Sequence, residues 1–317
     1  MKKILLMVLC LMTLPAIAWQ PTKPVTVYIG AGPATPKENI FRVLATHVTQ
    51  ATGVDFVYEH RPSPGSVVSN NEFMNKPNDG HHMSLPNIFD IWVHPELKTF
   101  PGITYSPESF EYGLCFAITP SSIAGRPDTS ISTPKDFIKH LRTSDKPVNI
   151  SVDMASGYII AEYLFESAGV DTEKVKYIRY KSGNLAALDL VGGQVDYAIL
   201  PLATTMSLAK DNKVKLVGIF NDKKINGLNV ETVSTVLPNM TYSAMFGISF
   251  PKGTDKEIIQ WYDKQFYAAL QNESVKKYYQ DNYLMYDEKY VRGSDFKKEM
   301  AEVGKKWTPV IKKLKLN

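Results

Sequence analysis

The chain has 317 residues, of which 44% are apolar and 21% are charged, and its formal net charge is +4. This composition excludes an intrinsically disordered chain, a collagen-like repeat and a small disulfide scaffold, and it predicts a globular protein of one large or two ordinary domains. The net charge is too small to argue for nucleic acid or an anionic membrane surface as a partner, since either needs a localised basic patch.

Residues 1–18 are predicted to be an export signal and not part of the fold. A positive pair (KK at 2–3) precedes an apolar segment at 4–14, and a small-x-small cleavage site (AIA) follows. We therefore expect cleavage after Ala18, a mature chain that starts at Trp19, and a periplasmic location. The signal holds two lysines and no acidic residue, so Lys+Arg falls from 36 to 34 against 32 Asp+Glu and the net charge falls from +4 to +2. No later apolar run of about 18 residues predicts insertion into a membrane.

Cys115 is the only cysteine of the predicted mature chain, so no intramolecular disulfide is expected. Its neighbours Leu114 and Phe116 are apolar, which predicts a buried thiol and not a reactive one.

The mature sequence opens with short apolar strands that alternate with amphipathic helices. The predicted elements are a strand at 24–29, a loop at 30–36, a helix at 37–52, a strand at 54–58 and a loop at 61–66. Gly53 is predicted to end the helix, and Ser66 is predicted to cap a short helix that runs to about residue 74. This alternation indicates an α/β domain with parallel strands.

A second block with the same alternation begins near Pro147. Its predicted elements are a strand at 148–152, a turn at 155–157, a helix at 158–168, a strand at 176–180, a turn at 182–184, a helix at 185–191 and a strand at 195–200. Apolar strands at 112–119 and 244–250 flank this block, and we predict that they carry the chain across to it and back. Two amphipathic helices at 254–270 and 295–314 are expected to pack on the first block.

The sequence carries no signature of catalysis or of a bound cofactor. His81 and His82 are adjacent, so on a strand they would point to opposite faces and would rarely bind one metal. No serine lies in a G-x-S-x-G elbow, and no strand is followed by a Walker loop or a dinucleotide fingerprint. We therefore expect a protein that is not an enzyme and that binds no metal and no cofactor.

Four turns between a strand and a helix give the strongest functional signal. In an open parallel sheet, ligands bind where strands end and where helices present free N–H groups and a positive dipole end. The turns in question are 30–36, 63–66, 154–157 and 182–184, two in each block. If the blocks face each other, the turns converge on one cleft suited to a small ligand with separated carboxylates. The alternative is that these turns are ordinary α/β connections.

Short motifs in collinear order resemble one known family. They are KPV at 23–25, EHRP at 59–62, NDG at 78–80, YKSG at 180–183, LVGGQVD at 190–196, FGI at 246–248, PKGT at 251–254 and KWTPVI at 306–311. The ordered set, which covers nearly the whole mature chain, resembles the substrate-binding proteins of tripartite tricarboxylate transporters, also called Bug receptors. The resemblance implies an α/β, two-lobe, type II periplasmic-binding-protein fold with a ligand cleft between the lobes. It places 19–118 and 246–317 in the first lobe and 119–245 in the second.

The resemblance also implies a function. It implies capture of a small carboxylate, either a di- or tricarboxylate or one with an aromatic body, by a monomer that docks on membrane permease subunits. The contacts that it implies are Pro33, Ala34, Thr35, Lys37, Asn39, Ser63, Ser66, Asn87, Met154, Ala155, Ser156, Gly157, Ser182, Gly183, Asn184, Leu200 and Pro201. Two alternatives remain: a receptor that passes the same ligand to a signalling partner, and a periplasmic enzyme acting on a carboxylated substrate.

The first loop departs from the family pattern. Members usually have a glycine-rich loop here, whereas Pro33 and Pro36 remove two backbone donors from this chain. We hypothesise that Lys37 replaces them with a charge-assisted contact to a carboxylate, the alternative being a solvated lysine in the first helical turn. Met154 stands where a small polar residue is usual, which predicts a tighter and more apolar pocket.

Overall fold

The fold was analysed in a computed structural model, and the residues that it describes are 19–98, 100–153 and 156–313. The predicted signal at 1–18 and the predicted contacts Met154 and Ala155 lie outside the described residues.

Two sets of parallel strands form the two ends of the sheet. The strands of the described chain are β1 (Val25–Ile29), β2 (Phe56–His60), β3 (His82–Ser84), β4 (Phe110–Gly125), β5 (Val148–Asp153), β6 (Val175–Tyr180), β7 (Tyr197–Pro201), β8 (Lys215–Ile219) and β9 (Ser243–Pro251). β1 pairs in parallel with β2 and β3, and β5 pairs in parallel with β6 and β7. The alternation of strands and helices therefore predicts these parallel sets correctly.

Strands β4 and β9 join the two parallel sets. The strand order is β2-β1-β3-β9-β4-β7-β5-β6, and β8 also pairs with β4. The pairings of β9 with β3 and β4, and of β4 with β7 and β8, are antiparallel. β4 pairs with β9 as far as Pro120 and with β7 from Ser121 onward, so a single strand of 16 residues runs through both halves of the sheet. The prediction that two apolar strands carry the chain across and back is confirmed.

Helices cover the sheet and connect its strands. They are α1 (Pro36–Thr52), α2 (Val67–Phe73), α3 (His94–Leu97), α4 (Pro134–Thr143), α5 (Gly157–Ser167), α6 (Gly183–Val191), α7 (Leu202–Lys210), α8 (Lys256–Leu270), α9 (Glu273–Asp281) and α10 (Gly293–Lys313). A π-helical turn at Phe89–Val93 leads into α3. Among the described helices, none has both the length and the apolar character needed to cross a membrane.

The core is rich in aromatic side chains that tie the terminal helices to the sheet. Phe41 of α1 and Phe266 of α8 are fully buried with ring centroids 5.0 Å apart. Burial of one such ring contributes about 1.5–3 kcal/mol. Trp307 of α10 lies 5.9 Å from the Phe89 ring and 5.5 Å from the ring of Tyr163 on α5. The last helix therefore packs on both halves of the molecule, and not on the first alone as predicted.

Element boundaries differ from the predictions where side chains form hydrogen bonds with backbone N–H or C=O groups. The second strand begins at Phe56 and not at residue 54, because the Thr49 hydroxyl donates to the Val54 carbonyl at 2.7 Å and ties this residue to the end of α1. α8 begins at Lys256, because the side chain of Asp255 caps it by accepting from the Glu257 N–H at 2.8 Å. Such competition by side-chain oxygens is local and leaves no trace in hydrophobic periodicity.

The thiol of Cys115 is buried in the interior of β4, as the apolar neighbours predict. Its Sγ–H donates to the Ala117 carbonyl at 3.5 Å, and burial raises the pKa of the thiol well above its usual range. The thiol therefore stays protonated and unreactive at neutral pH.

A partly buried carboxylate links three elements of the first half. Asp263 of α8 accepts hydrogen bonds from the Leu114 N–H at 2.7 Å and the Gly293 N–H at 3.2 Å, which join α8 to β4 and to the start of α10. Burial raises the pKa of Asp263 from 3.8 to about 7, and the two hydrogen bonds only partly offset this effect. The native state therefore keeps a proton that the unfolded chain releases above pH ~4.

We expect stability to fall as pH rises between about 4 and 7, because a group with a raised native pKa favours folding only while it is protonated. In Asp263→Asn this part of the pH dependence disappears. The free energy of unfolding should therefore change less between pH 4 and pH 7 in the variant than in wild type, by about 2 kcal/mol after allowance for partial exposure. Urea unfolding of both proteins across this pH range measures the difference. Parallel curves for the two proteins would show that Asp263 titrates normally.

Candidate functional site

The loop between β1 and α1 is held in place by Glu38. The buried Glu38 carboxylate accepts a hydrogen bond from the Ala34 N–H at 3.0 Å, contacts His60 Nε2 at 3.0 Å and pairs with Arg42 at 2.6 Å. Burial alone raises its pKa, but the hydrogen bonds from His60 and Arg42 outweigh burial and lower the pKa of Glu38 below its ordinary value. One backbone donor of this loop is therefore already occupied by the protein itself.

The second loop of this half packs directly on the first. Ser66 has a left-handed backbone (φ 55°) and approaches Gly30 so closely that a Cβ on Gly30 would lie 2.2 Å from the Ser66 Cβ. Ser66 precedes α2 as predicted, but its hydroxyl makes no capping hydrogen bond and instead donates to Asp90 Oδ2 at 2.8 Å. The Oγ of Ser63 accepts from the Val68 N–H at 3.0 Å and supplies the cap.

Lys37 lies buried in the first turn of α1 with its side chain 8% exposed. Its Nζ donates to the backbone carbonyl of Leu85 at 3.0 Å. Burial lowers the pKa of Lys37, whereas the nearby carboxylates of Asp90 and Glu38 act in the opposite direction. The alternative of a solvated lysine is therefore wrong, and the ammonium group lies in a low-dielectric site.

The second half contributes the starts of α5 and α6. Asp153 ends β5, and its Oδ1 accepts from the Ser156 N–H at 2.8 Å and the Gly157 N–H at 3.2 Å. These amides open α5, so an internal carboxylate occupies donors that the sequence argument assigns to the ligand. Ser182 caps α6, and its Oγ accepts from the Leu185 N–H at 3.5 Å.

These turns surround a cavity of about 120 Å³, named here the cleft cavity. The predicted contacts that line it are Thr35, Lys37, Ser63, Ser66, Asn87, Ser156, Ser182, Gly183 and Pro201. The predicted contacts that line a second cavity beside it are Ala34, Asn39 and Asn184. Gly157 and Leu200 are buried next to the cleft cavity without lining it, and Pro33 is exposed.

A hydrogen bond spans the edge of the cleft between the two halves. Asn184 Nδ2, at the start of α6, donates to the carbonyl oxygen of Ala34 at 2.7 Å. Ala34 has a left-handed backbone (φ 61°), which is uncommon outside glycine and asparagine. At this edge the cleft is therefore closed.

Sequence reasoning missed the acidic part of the cavity wall. Asp90, Asp153, Lys181, Thr204 and Phe246 also line the cleft cavity. Two of them had a signal: Asp90 interrupts the apolar run IFDIWV at 88–93, and Asp153 stands at the carboxyl end of a strand, where ligands bind. Across the described chain, no group of three or more His, Cys, Asp or Glu side chains is placed to hold a metal ion.

Two α/β lobes that share two long strands and enclose a cavity at the starts of their helices define a type II periplasmic binding protein. MatC from Rhodopseudomonas palustris, solved with bound malate, is 19% identical and superimposes with a TM-score of 0.83 over 92% of this chain and 100% of MatC. Rpa4515 of R. palustris, solved with adipate, is 18% identical with a TM-score of 0.83 over 92% of this chain and 97% of that protein. These likenesses establish the fold.

The sequence identifies the family within this class. The profile of the tripartite tricarboxylate transporter family receptors matches residues 40–316. The protein BugT of Bordetella pertussis is 22% identical over 264 residues, which cover 80% of this chain and 78% of BugT. The chain belongs to the tripartite tricarboxylate transporter receptor family, whose members are binding and transport receptors and not enzymes.

Proposed function

We propose that this receptor captures a small carboxylate in the periplasm and presents it to the permease subunits of a tripartite tricarboxylate transporter. The observation that carries the proposal is the meeting of α1, α5 and α6, from both lobes, at one cavity that is also lined by the buried Lys37. Helix starts and a buried cation are both suited to a carboxylate. The malate and adipate bound by MatC and Rpa4515 support this choice of ligand.

The lobes are proposed to move about the two shared strands. We place 19–118 and 246–317 in the first lobe and 119–245 in the second. Thr119 and Pro120, after which β4 changes partners, and the segment 245–247 of β9 would absorb the hinge motion. Ligand that contacts both lobes would then shift the population toward the closed form.

Export is proposed to end with cleavage after Ala18, and the receptor is proposed to act as a monomer. Support for the cleavage site comes from Trp19, whose backbone N lies 3.3 Å from Glu257 Oε1 and whose ring packs on Trp261 at 5.8 Å. A new amino terminus at this position would place an ammonium group beside the Glu257 carboxylate.

Ligand binding is expected to raise the melting temperature of the protein comprising residues 19–317. A ligand that binds only the native state raises the free energy of unfolding by about 2.7 kcal/mol at a hundredfold excess over Kd. This increase corresponds to a rise of a few degrees in the melting temperature. The measurement is a thermal-shift screen of mono-, di- and tricarboxylates on protein that has been unfolded and refolded to remove any bound ligand. The matching amides serve as controls. A refolded protein that responds to no carboxylate would refute the proposed function.

Asn184→Ala is expected to weaken the closed form, because it removes the hydrogen bond to Ala34 across the cleft edge. A bond worth about 0.5–1.5 kcal/mol corresponds to a roughly 2- to 12-fold loss of affinity for the carboxylate found in the screen. Leu188→Ala on the same helix is the control, since Leu188 is 63% exposed. Calorimetry measures the affinity and small-angle scattering measures the closure. Equal affinity of both variants would exclude a role for this contact.

A further inference from the structure

We propose that the ligand of the cleft cavity is a zwitterionic amino acid with an uncharged side chain, and that Asp90 binds its amino group. The inference rests on the proposed function, because it takes the cleft cavity as the carboxylate site. It differs from that function in naming a donor group on the ligand and a receptor carboxylate that recognises it.

Asp90 is a buried carboxylate whose hydrogen bonding is incomplete. Its side chain lines the cleft cavity although the residue is only 4% exposed. Oδ2 accepts from the Ser66 hydroxyl at 2.8 Å, whereas Oδ1 has no hydrogen-bond partner within the part of the chain that the structure describes. Buried polar atoms are normally satisfied, and a carboxylate oxygen without a donor is costly. An ammonium group on the ligand supplies both the missing donors and the opposite charge.

The charges of the cavity argue against a ligand with two or three carboxylates. The charged residues that line it are Lys37, Lys181, Asp90 and Asp153, and their formal charges sum to zero. Protein carboxylates also occupy backbone donors at the starts of α1 and α5, which leaves fewer donors for an anion. A dicarboxylate would bring two negative charges next to the Asp90 carboxylate, where like charges repel each other. A zwitterion brings no net charge.

Lys37 and Asp90 form the receptor half of a complementary pair of charges. Asp90 lies close enough that its charge counteracts the lowering of the Lys37 pKa by burial. The ligand carboxylate would bind the Lys37 ammonium, and the ligand ammonium would bind Asp90. This arrangement pairs each of the two charges of the ligand with an opposite charge of the receptor.

The size and the remaining wall of the cavity restrict the side chain of the amino acid. The cleft cavity, with a volume of about 120 Å³, fits a small organic molecule. Pro64, Pro201 and Phe246 provide apolar wall for an uncharged side chain. Leucine and phenylalanine are of this size and polarity, and they represent the class in the test below.

The test compares ligands that differ only at the amino group. Refolded wild-type protein is titrated with leucine, 2-hydroxy-4-methylpentanoate and 4-methylpentanoate, with the corresponding phenylalanine series, and with malate, adipate and citrate. We expect the amino acid of at least one series to bind about 10- to 100-fold more tightly than its partner without the amino group. In Asp90→Asn, which keeps the shape of the side chain, this preference falls to about threefold or less. Asp128→Asn is the control, because it makes the same change at an exposed carboxylate that does not line the cleft cavity and should keep the preference.

The outcomes separate the inference from the function on which it rests. Binding of malate, adipate or citrate without binding of either amino acid overturns the inference and leaves the proposed function standing. Binding of none of these compounds overturns the inference, and the wider carboxylate screen then decides the proposed function. An Asp90→Asn protein that folds and retains the wild-type preference also overturns the inference. If that variant does not fold, the wild-type protein alone tests the inference. Equal affinities for the compounds with and without the amino group, in both series, would then overturn it.

Discussion

Replacement of Gly30 by alanine is expected to destabilise the protein by about 3 kcal/mol and to weaken ligand binding by roughly tenfold or more. The added Cβ would lie 2.2 Å from the Cβ and 2.9 Å from the Cα of Ser66. Because one of these atoms belongs to the backbone, a change of rotamer cannot relieve the overlap. The two loops of the first lobe must separate, and with them Ser66 moves away from Asp90.

Gly32→Ala is the matched control for this prediction. Gly32 belongs to the same loop, but no atom lies within 4 Å of the position that its Cβ would occupy. We expect the free energy of unfolding of this variant to lie within about 0.5 kcal/mol of the wild-type value, and we expect normal ligand binding. Urea unfolding and calorimetric titration of both variants measure the two effects. A Gly30→Ala protein as stable as Gly32→Ala would show that the contact between the loops is not a requirement of the site.

Replacement of Lys37 by methionine is expected to reduce carboxylate affinity by about 10- to 100-fold, as for the loss of a charge-assisted hydrogen bond. Methionine keeps the length of the side chain while it removes the charge. Because burial lowers the pKa of Lys37, we also expect the affinity of the wild-type protein to decrease as pH rises toward the ordinary pKa of lysine and the ammonium loses its proton. The variant lacks the titrating group and should show no such decrease.

Lys181→Met provides the comparison for Lys37. Lys181 lines the same cavity, but its side chain is exposed to water, where an ion pair contributes about 0–1 kcal/mol. We expect a change in affinity of about threefold or less for this variant. Calorimetric titration at several pH values measures all three proteins. Equal losses in both variants would indicate that the cavity attracts the ligand by its overall field and not through Lys37.

Much of the fold follows from hydrophobic periodicity and from glycine stops. The helix predicted at 37–52 is α1, and Gly53 ends it with a left-handed backbone and a hydrogen bond to the Thr49 carbonyl. The predicted strands at 148–152 and 176–180 are β5 and β6, each within one residue at either end. In these segments, an apolar face and a clear end signal indicate the same element, so the local sequence is sufficient to predict it.

Elements with weak local signals were not predictable in the same way. α7 follows Pro201 with no side-chain cap, and its first turn contains β-branched threonines. β8 is a short strand that contains Gly218 and lies off the main order of the sheet, where it pairs with β4. Tertiary contacts decide both elements, and such contacts are not visible in a single sequence.

The sequence predicts where the site lies in the fold, but it does not predict which charged side chains line the cavity. The ends of β1, β5 and β6 indicate where a ligand binds, and the turns after them do line the cleft cavity. That Lys37 is buried and that Asp90 faces the same cavity depends on how the π-helical turn at Phe89–Val93 packs against α1 and Ser66. The electrostatic character of a cavity is a property of several distant segments together.

The position of β9 in the sheet bears on the order in which the protein folds. β9 lies between β3 and β4, yet it is the last strand of the described chain. The half with β1, β2 and β3 therefore lacks an inner strand until nearly the whole polypeptide is available, whereas β5, β6 and β7 are close in sequence and can pair early. A chain interrupted before Ser243 would leave β3 and the first part of β4 as unpaired edges open to aggregation. The first segment to be synthesised is in this way among the last to become stable.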